Sequence, residues 1–277
     1  MQKVLFPTDF SMNSVNAIRY GLNLLNRAPF QAILLNAYDI PPVPPGGQTL
    51  YPENYLTNLI KDSEKGLMRI KEILMEEEDI SPAAIECRTQ IGPLLSAVQE
   101  TTEIFKPNLI IMGTHGASGL EKTLIGTNSY SVMKNSSTPV LAVPENTKFK
   151  PLRSLVFSTD YKPIEQTERL TPIAWIARQF GAVIKILHVT QKDKIADVKV
   201  AAEGLKLHHF LDGLSHHFFF VENESVEKGI TSFIEQQACD LLVMVIHDRP
   251  FFERVFHASV ARKIVMQGKI PILTLHA

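Results

Sequence analysis

The chain has 277 residues, longer than the usual ~100–200 residues of one domain, with 28 basic against 29 acidic side chains and a net charge of −1. Near-balance removes any electrostatic case for a nucleic acid or an anionic membrane surface, and no apolar run reaches the ~18 residues of a membrane span. Cys87 and Cys239 fall in different halves and outside any metal or redox motif, and the N-terminus runs straight into a strand with no signal peptide, so the expectation is a soluble cytoplasmic protein.

Lys3-Val4-Leu5-Phe6 reads as the first strand, followed by Pro7-Thr8-Asp9-Phe10-Ser11 and a helix with Val15, Ile18, Leu22 and Leu25 on its apolar face. Asp9 then stands at the carboxyl end of a strand, where open parallel sheets bind ligands, although helix capping by Asp9 or Ser11 is an equal reading. Ala32 to Ala37 is the second strand. The proline-rich run from Pro41 to Gly47 can be neither helix nor central strand; it is a stiff loop, a lid over the site or a plain connector. A long amphipathic helix from Asn54 to Glu78 turns Leu56, Ile60, Leu67, Ile70 and Leu74 inward. Ala84 to Thr89 is the third strand, and Pro93 opens the next helix. Leu109-Ile110-Ile111-Met112 forms a strand buried on both faces, Ser129 to Asn135 a helix, and Pro139 to Val143 a further buried strand.

After a polar linker, Glu145 to Lys150, the pattern returns. Ser154 to Tyr161 repeats Lys3 to Phe10 as strand, Thr-Asp and an aromatic residue, while Asp240 to Met244 and Pro271 to Leu275 repeat Asn108 to Met112 and Pro139 to Val143 at one ungapped offset. The chain is an internal duplication with the same β-α order in each copy.

The most informative stretch is Gly113 to Thr127: Gly-Thr-His-Gly, nine residues, then Gly-Thr. Gly113 and Gly116 let the backbone turn sharply and approach a ligand, and Gly126 leaves room before a helix start. Thr127 and Ser129 are expected to add hydroxyls to the unbonded N–H groups there, an electropositive end suited to phosphate. A P-loop would need Lys-Ser or Lys-Thr after its last glycine, and a Rossmann fingerprint three glycines within six residues; neither is present. Gly113, Gly116, Gly126 and Thr127 do reproduce the Gly-x2-Gly-x9-Gly-Ser/Thr pattern of the universal stress protein family, in its ATP-binding branch, and the resemblance extends over most of the chain.

That resemblance implies an α/β fold of two tandem five-stranded parallel-sheet domains, Rossmann-like and similar to the adenine nucleotide alpha hydrolases. Residues 1–146 would form the nucleotide-binding domain and 151–277 a second, degenerate one. It implies ATP, or AMP or ADP, with or without Mg²⁺, held by Pro7, Thr8, Asp9, Ala37, Met112, Gly113, His115, Gly116, Gly126, Thr127, Asn128 and Ser129, with Asp9 on the nucleoside. Ala37 stands where the family usually has a valine against the adenine, a departure that loosens the base. The family also dimerises through its last strands, and this chain can satisfy that contact internally, Val140 to Val143 against Ile272 to Leu275; both edges are apolar. A homodimer and an unidentified protein partner stay open.

At the shared offset, Val245, Asp248, Ala258 and Ser259 replace Gly113, Gly116, Gly126 and Thr127. Without glycines, and with Asp248 repelling a polyanion, the second copy is expected to be structural, regulatory or tuned to something else, even with Arg249 and Arg254 nearby. His208, His209, His216 and His217 around Asp212 suggest zinc, but helical neighbours point about 100° apart, so a polar helix end is the preferred reading; His247 closes a strand. Chemistry is harder to place than binding. His115, Asp9 and Lys122 are at hand, yet there is no Walker lysine and no acidic pair. A nucleotide-holding regulatory module therefore ranks ahead of a slow or partner-dependent ATPase, and that ahead of a scaffold with a vestigial pocket.

Overall fold

In a computed structural model, residues 2–25, 28–39, 54–77, 80–114, 126–162, 167–190, 198–246 and 270–276 are described. Strands β1 (Gln2–Pro7), β2 (Phe30–Tyr38), β3 (Ile85–Ile91), β4 (Leu109–Gly113) and β5 (Val140–Val143) alternate with helices α1 (Met12–Leu25), α2 (Tyr55–Glu77), α3 (Leu94–Phe105) and α4 (Thr127–Asn135). The second half repeats the scheme with β6 (Ser154–Ser158), α5 (Thr171–Phe180), β7 (Val183–Thr190), α6 (Val198–Phe210), β8 (His216–Glu222), α7 (Val226–Gln237), β9 (Leu241–Ile246) and β10 (Ile272–His276).

All ten strands join one sheet in the order β3-β2-β1-β4-β5-β10-β9-β6-β7-β8. Within each half the strands are parallel, as expected where consecutive strands are joined through helices. The halves meet where β5 and β10 run antiparallel, Leu141 opposite Leu273, which is the internal pairing of last strands anticipated from the sequence. Helices cover both faces, and each face of the sheet has its own buried apolar cluster, one with Phe6, Ile18, Leu141, Phe157 and Leu273, the other with Leu5, Ile110, Val132, Val140 and Ile272. The alternation along the central strands splits each between the two clusters, and double burial explains why β1, β4, β5, β9 and β10 read as continuous apolar runs.

Some boundaries differ. Strand β3 extends to Ile91, and α4 begins at Thr127, two residues before the expected start. On α2, Leu67, Ile70 and Leu74 are buried, but Leu56 is exposed. The proline-rich run 41–47 and the segment 247–269, with His247, Asp248, Arg249, Arg254, Ala258 and Ser259, lie outside the described residues.

Candidate functional site

The carboxyl end of β1 is built by buried hydroxyls. The Thr8 N–H donates to the Leu35 carbonyl at 2.8 Å, and its Oγ1 lies 2.9 Å from the Ser14 hydroxyl and accepts the Phe10 N–H at 3.1 Å. Asn36 Nδ2 donates to the Thr8 carbonyl at 2.8 Å; Ser63 Oγ donates to Asn36 Oδ1 at 2.8 Å, and Thr89 Oγ1 to Ser63 Oγ at 2.6 Å. This polar chain, running from β1 through β2 to α2 and β3, leaves few alternatives for the loop above it. Asp9 is exposed at its crest. Its Oδ1 accepts the Ser11 N–H at 3.1 Å and the Ser11 hydroxyl at 2.6 Å, while Ser11 Oγ accepts the Ser14 N–H at 3.2 Å. Helix capping therefore falls to Ser11, and Asp9 positions the cap while bordering the cleft.

The second wall comes from β4 and α4. Thr114 N–H donates to the Val143 carbonyl at 3.1 Å, and Gly126 N–H returns to the Thr114 carbonyl at 2.7 Å. Gly126 is the N-cap of α4, with no side-chain cap bond. The Ser129 hydroxyl does not serve the helix start, contrary to the sequence expectation; it is buried and donates to the Gly113 carbonyl at 2.8 Å, clipping α4 onto the end of β4. The first-turn N–H groups of Thr127, Asn128 and Ser129 have no acceptor among the described residues, which leaves a donor-rich, dipole-positive end. Gly113 has a second reason to lack a side chain: a Cβ there would lie 2.7 Å from Asn13 Nδ2.

Between these walls is a cleft of about 130 Å³ lined by Pro7, Thr8, Asp9, Ala37, Met112 and Gly113 on one side and by Gly126, Thr127, Asn128 and Ser129 on the other. Ser14 and Leu94 also line it. Neither was singled out in the sequence; the signals were a serine three residues after the cap and an apolar residue just after Pro93. His115, Gly116 and Lys122 lie outside the described residues. The enclosed volume is below the ~300–1,000 Å³ of a whole ligand pocket, so the described walls are large enough for only part of a small-molecule ligand. Among the described residues the lining has one carboxylate, Asp9, and no basic side chain.

The second half repeats three backbone N–H bonds of the first loop. Thr159 N–H donates to the Leu187 carbonyl at 3.0 Å, Thr159 Oγ1 accepts the Tyr161 N–H at 3.0 Å, and Asp160 Oδ1 accepts the Lys162 N–H at 3.2 Å. His188 Nδ1, 2.9 Å from the Thr159 carbonyl, takes the role of Asn36. At the position of Gly113 stands Val245, buried and paired with Leu275. Of the histidine cluster, His208 Nδ1 and His216 Nε2 meet at 2.8 Å. Among the described residues no group of three or more His, Cys, Asp or Glu is placed to hold a metal ion, and both cysteines are free. Nor is any described helix long and apolar enough to cross a membrane.

Comparison with known proteins agrees with the architecture. The family model described as "Universal stress protein family" matches residues 1–144 and 159–276. A universal stress protein of Methanocaldococcus jannaschii is 27% identical over 153 residues, 53% of this chain and 84% of that protein. The crystal structure of a universal stress protein from Archaeoglobus fulgidus superposes with a TM-score of 0.71 at 16% identity, covering 99% of this chain and 96% of its own. A functionally unknown protein from Pseudomonas aeruginosa superposes with a TM-score of 0.58 at 11% identity, covering 100% of this chain and 92% of its own. At these identities the two structures speak for the fold alone.

Proposed function

The chain belongs to the universal stress protein family, and from that premise we propose that its N-terminal half, residues 1–146, holds an adenine nucleotide, ATP first and AMP or ADP as relatives, as the sensing part of a regulatory module. The observation that carries the reading is the convergence of two features in one cleft: the exposed Asp9 at the end of β1 and the uncapped start of α4 behind Gly126. A carboxylate suits ribose hydroxyls as an acceptor, and three N–H groups at a helix start suit a phosphate. The remaining expected residues, His115 and Gly116, belong to the same proposed site.

The reading is of binding rather than turnover. In-line attack on a phosphoryl group needs a positioned base and a concentration of positive charge, and the described walls supply donors and one carboxylate. Residues 151–277 form the proposed regulatory partner, since Val245 fills the place of the bare backbone at Gly113.

The test is to denature the purified protein, identify the released nucleotide and count it per chain. About one adenine nucleotide per chain is expected, and none after Gly126→Val. Gly126 has φ −60° and ψ 149°, a conformation open to any residue, so loss of binding in that variant reports on the cleft and not on backbone strain. Retention of nucleotide by Gly126→Val would remove the site from this half.

A further inference from the structure

The strand order reads the same from either end about the β5–β10 pair, so an approximate two-fold relates the halves and each cleft at their junction occurs twice. One of the two is filled by the chain itself. The linker after β5 buries Leu152, sets the Phe149 ring 5.2 Å from Tyr20 of α1 and 5.8 Å from Phe180 of α5, and brings Lys150 Nζ within 2.8 Å of Asp240 Oδ1. Asp240 occupies the turn into β9, donating its N–H to the Ser154 carbonyl and accepting the N–H groups of Arg153 and Ser154. Asn108 is its counterpart before β4: its N–H donates to the Lys3 carbonyl, and its Oδ1 accepts the Lys3 N–H at 2.9 Å.

Asn108 lines the other cleft, a cavity of about 440 Å³ between Leu25 at the end of α1 and Thr171 to Ile176 at the start of α5, closed by His276 of β10. That volume lies in the range of small-molecule sites. Its walls are largely apolar, with Val4, Leu109, Leu275 and the indole of Trp175. Its polar lining differs from that of its filled twin. Neutral Asn108 stands in place of Asp240, no acidic residue lines the cavity among the described residues, and Arg169 brings a guanidinium whose Nη1 donates to the His276 carbonyl at 2.9 Å. Helix α5 also opens here without a side-chain cap. Burial, with Arg169 adding to it, pushes the His276 imidazole below its ordinary pKa of 6.5 even though the Lys134 carbonyl favours the protonated ring.

We propose that this junction cavity binds a small aromatic carboxylate, the ring against Trp175 in the slot equivalent to the one Phe149 fills, and the carboxylate toward Arg169 and the start of α5. The linker supplies the internal precedent for the ring; the exchange of Asp240 for Asn108 sets the sign of the charge. A ligand here would touch both halves at once.

Trp175 is the chain's one tryptophan, so its emission reports on the cavity directly. Titration of the intact protein with 3-phenylpropionate should shift that emission saturably, with a dissociation constant on the order of 1 mM or below, and 3-phenylpropylamine of the same shape should bind at least ~10-fold more weakly. Arg169→Gln should weaken the acid about 10-fold with an unchanged thermal midpoint. Asn108→Asp, which recreates the Asp240 geometry, should turn the preference toward the amine. No saturable shift up to the solubility limit, equal binding of acid and amine, or indifference to both substitutions would each overturn the proposal. None of these readouts depends on nucleotide in the β1–α4 cleft.

Discussion

Phe10, with φ 65°, and Tyr161, with φ 53°, adopt the left-handed conformation at matching places after β1 and β6. In each case a threonine hydroxyl accepts the aromatic residue's own N–H, and a helical glycine faces the ring. The fit differs between the halves. A Cβ on Gly66 would fall 2.5 Å from the Phe10 ring, whereas one on Gly204 would sit 3.6 Å from Tyr161, an ordinary contact. Gly204→Ala should therefore stabilise the protein by about 0.5–1 kcal/mol through helix propensity, and Gly66→Ala should destabilise it by about 1 kcal/mol or more through overpacking, both read from urea midpoints. The Thr-Asp-aromatic repeat was visible in the sequence, but the glycines were not, because nothing local ties a mid-helix glycine to a loop on another element. Asp240 offers a second residue-scale test. Burial alone would raise its carboxyl, but Lys150 and the N–H groups of Arg153 and Ser154 outweigh that and hold it below its ordinary 3.8. A carboxyl more acidic folded than unfolded stabilises above its unfolded pKa and loses that contribution as pH falls through the folded value. Asp240→Asn should accordingly flatten the loss of stability below about pH 4, measured as urea midpoints against pH.

Among the elements, the central strands β1, β4, β5, β9 and β10 were the most legible, because burial on both faces leaves little room for polar residues and each shows as an apolar run, unlike β3 and β8 at the margins. Helix faces were legible in part. Periodicity marks which side of α2 is apolar but not how far along it the sheet reaches, and Leu56 was misplaced for that reason. The cleft was legible from glycine spacing and strand ends, while the Ser129 bond to Gly113 was not, since a serine in a first helical turn reads as a helix-start residue. The β5–β10 pair is the element on which the junction depends. Leu141 and Leu273 are fully packed opposite each other, and the buried Thr274 hydroxyl donates to the Val140 carbonyl at 3.3 Å. Leu273→Ala should cost about 2–5 kcal/mol and, because one sheet runs through both halves, should lower a single urea transition rather than split it in two.

For the molecule as a whole, the antiparallel junction sends the carboxyl ends of the two sets of strands to opposite ends of the sheet. The cleft at Asp9 and the loop at Asp160 thus face away from each other, and a nucleotide at one end has no direct contact with the other. Asp9→Asn should weaken ATP binding about 10-fold, the scale of one charge-assisted hydrogen bond, whereas Asp160→Asn should leave it unchanged; isothermal calorimetry distinguishes the two.

Joining β5 to β10 also exhausts the inner borders of the sheet, so that the main chain of β3 and of β8 forms its two far margins among the described residues. Strand addition from another copy at one margin would leave the other margin open, so that pairing could continue and string molecules out in a row. Charge at those margins, with Glu86 held 2.8 Å from Arg88 on one and Glu222 on the other, works against such stringing, and sedimentation at rising concentration should report a particle whose mass does not climb.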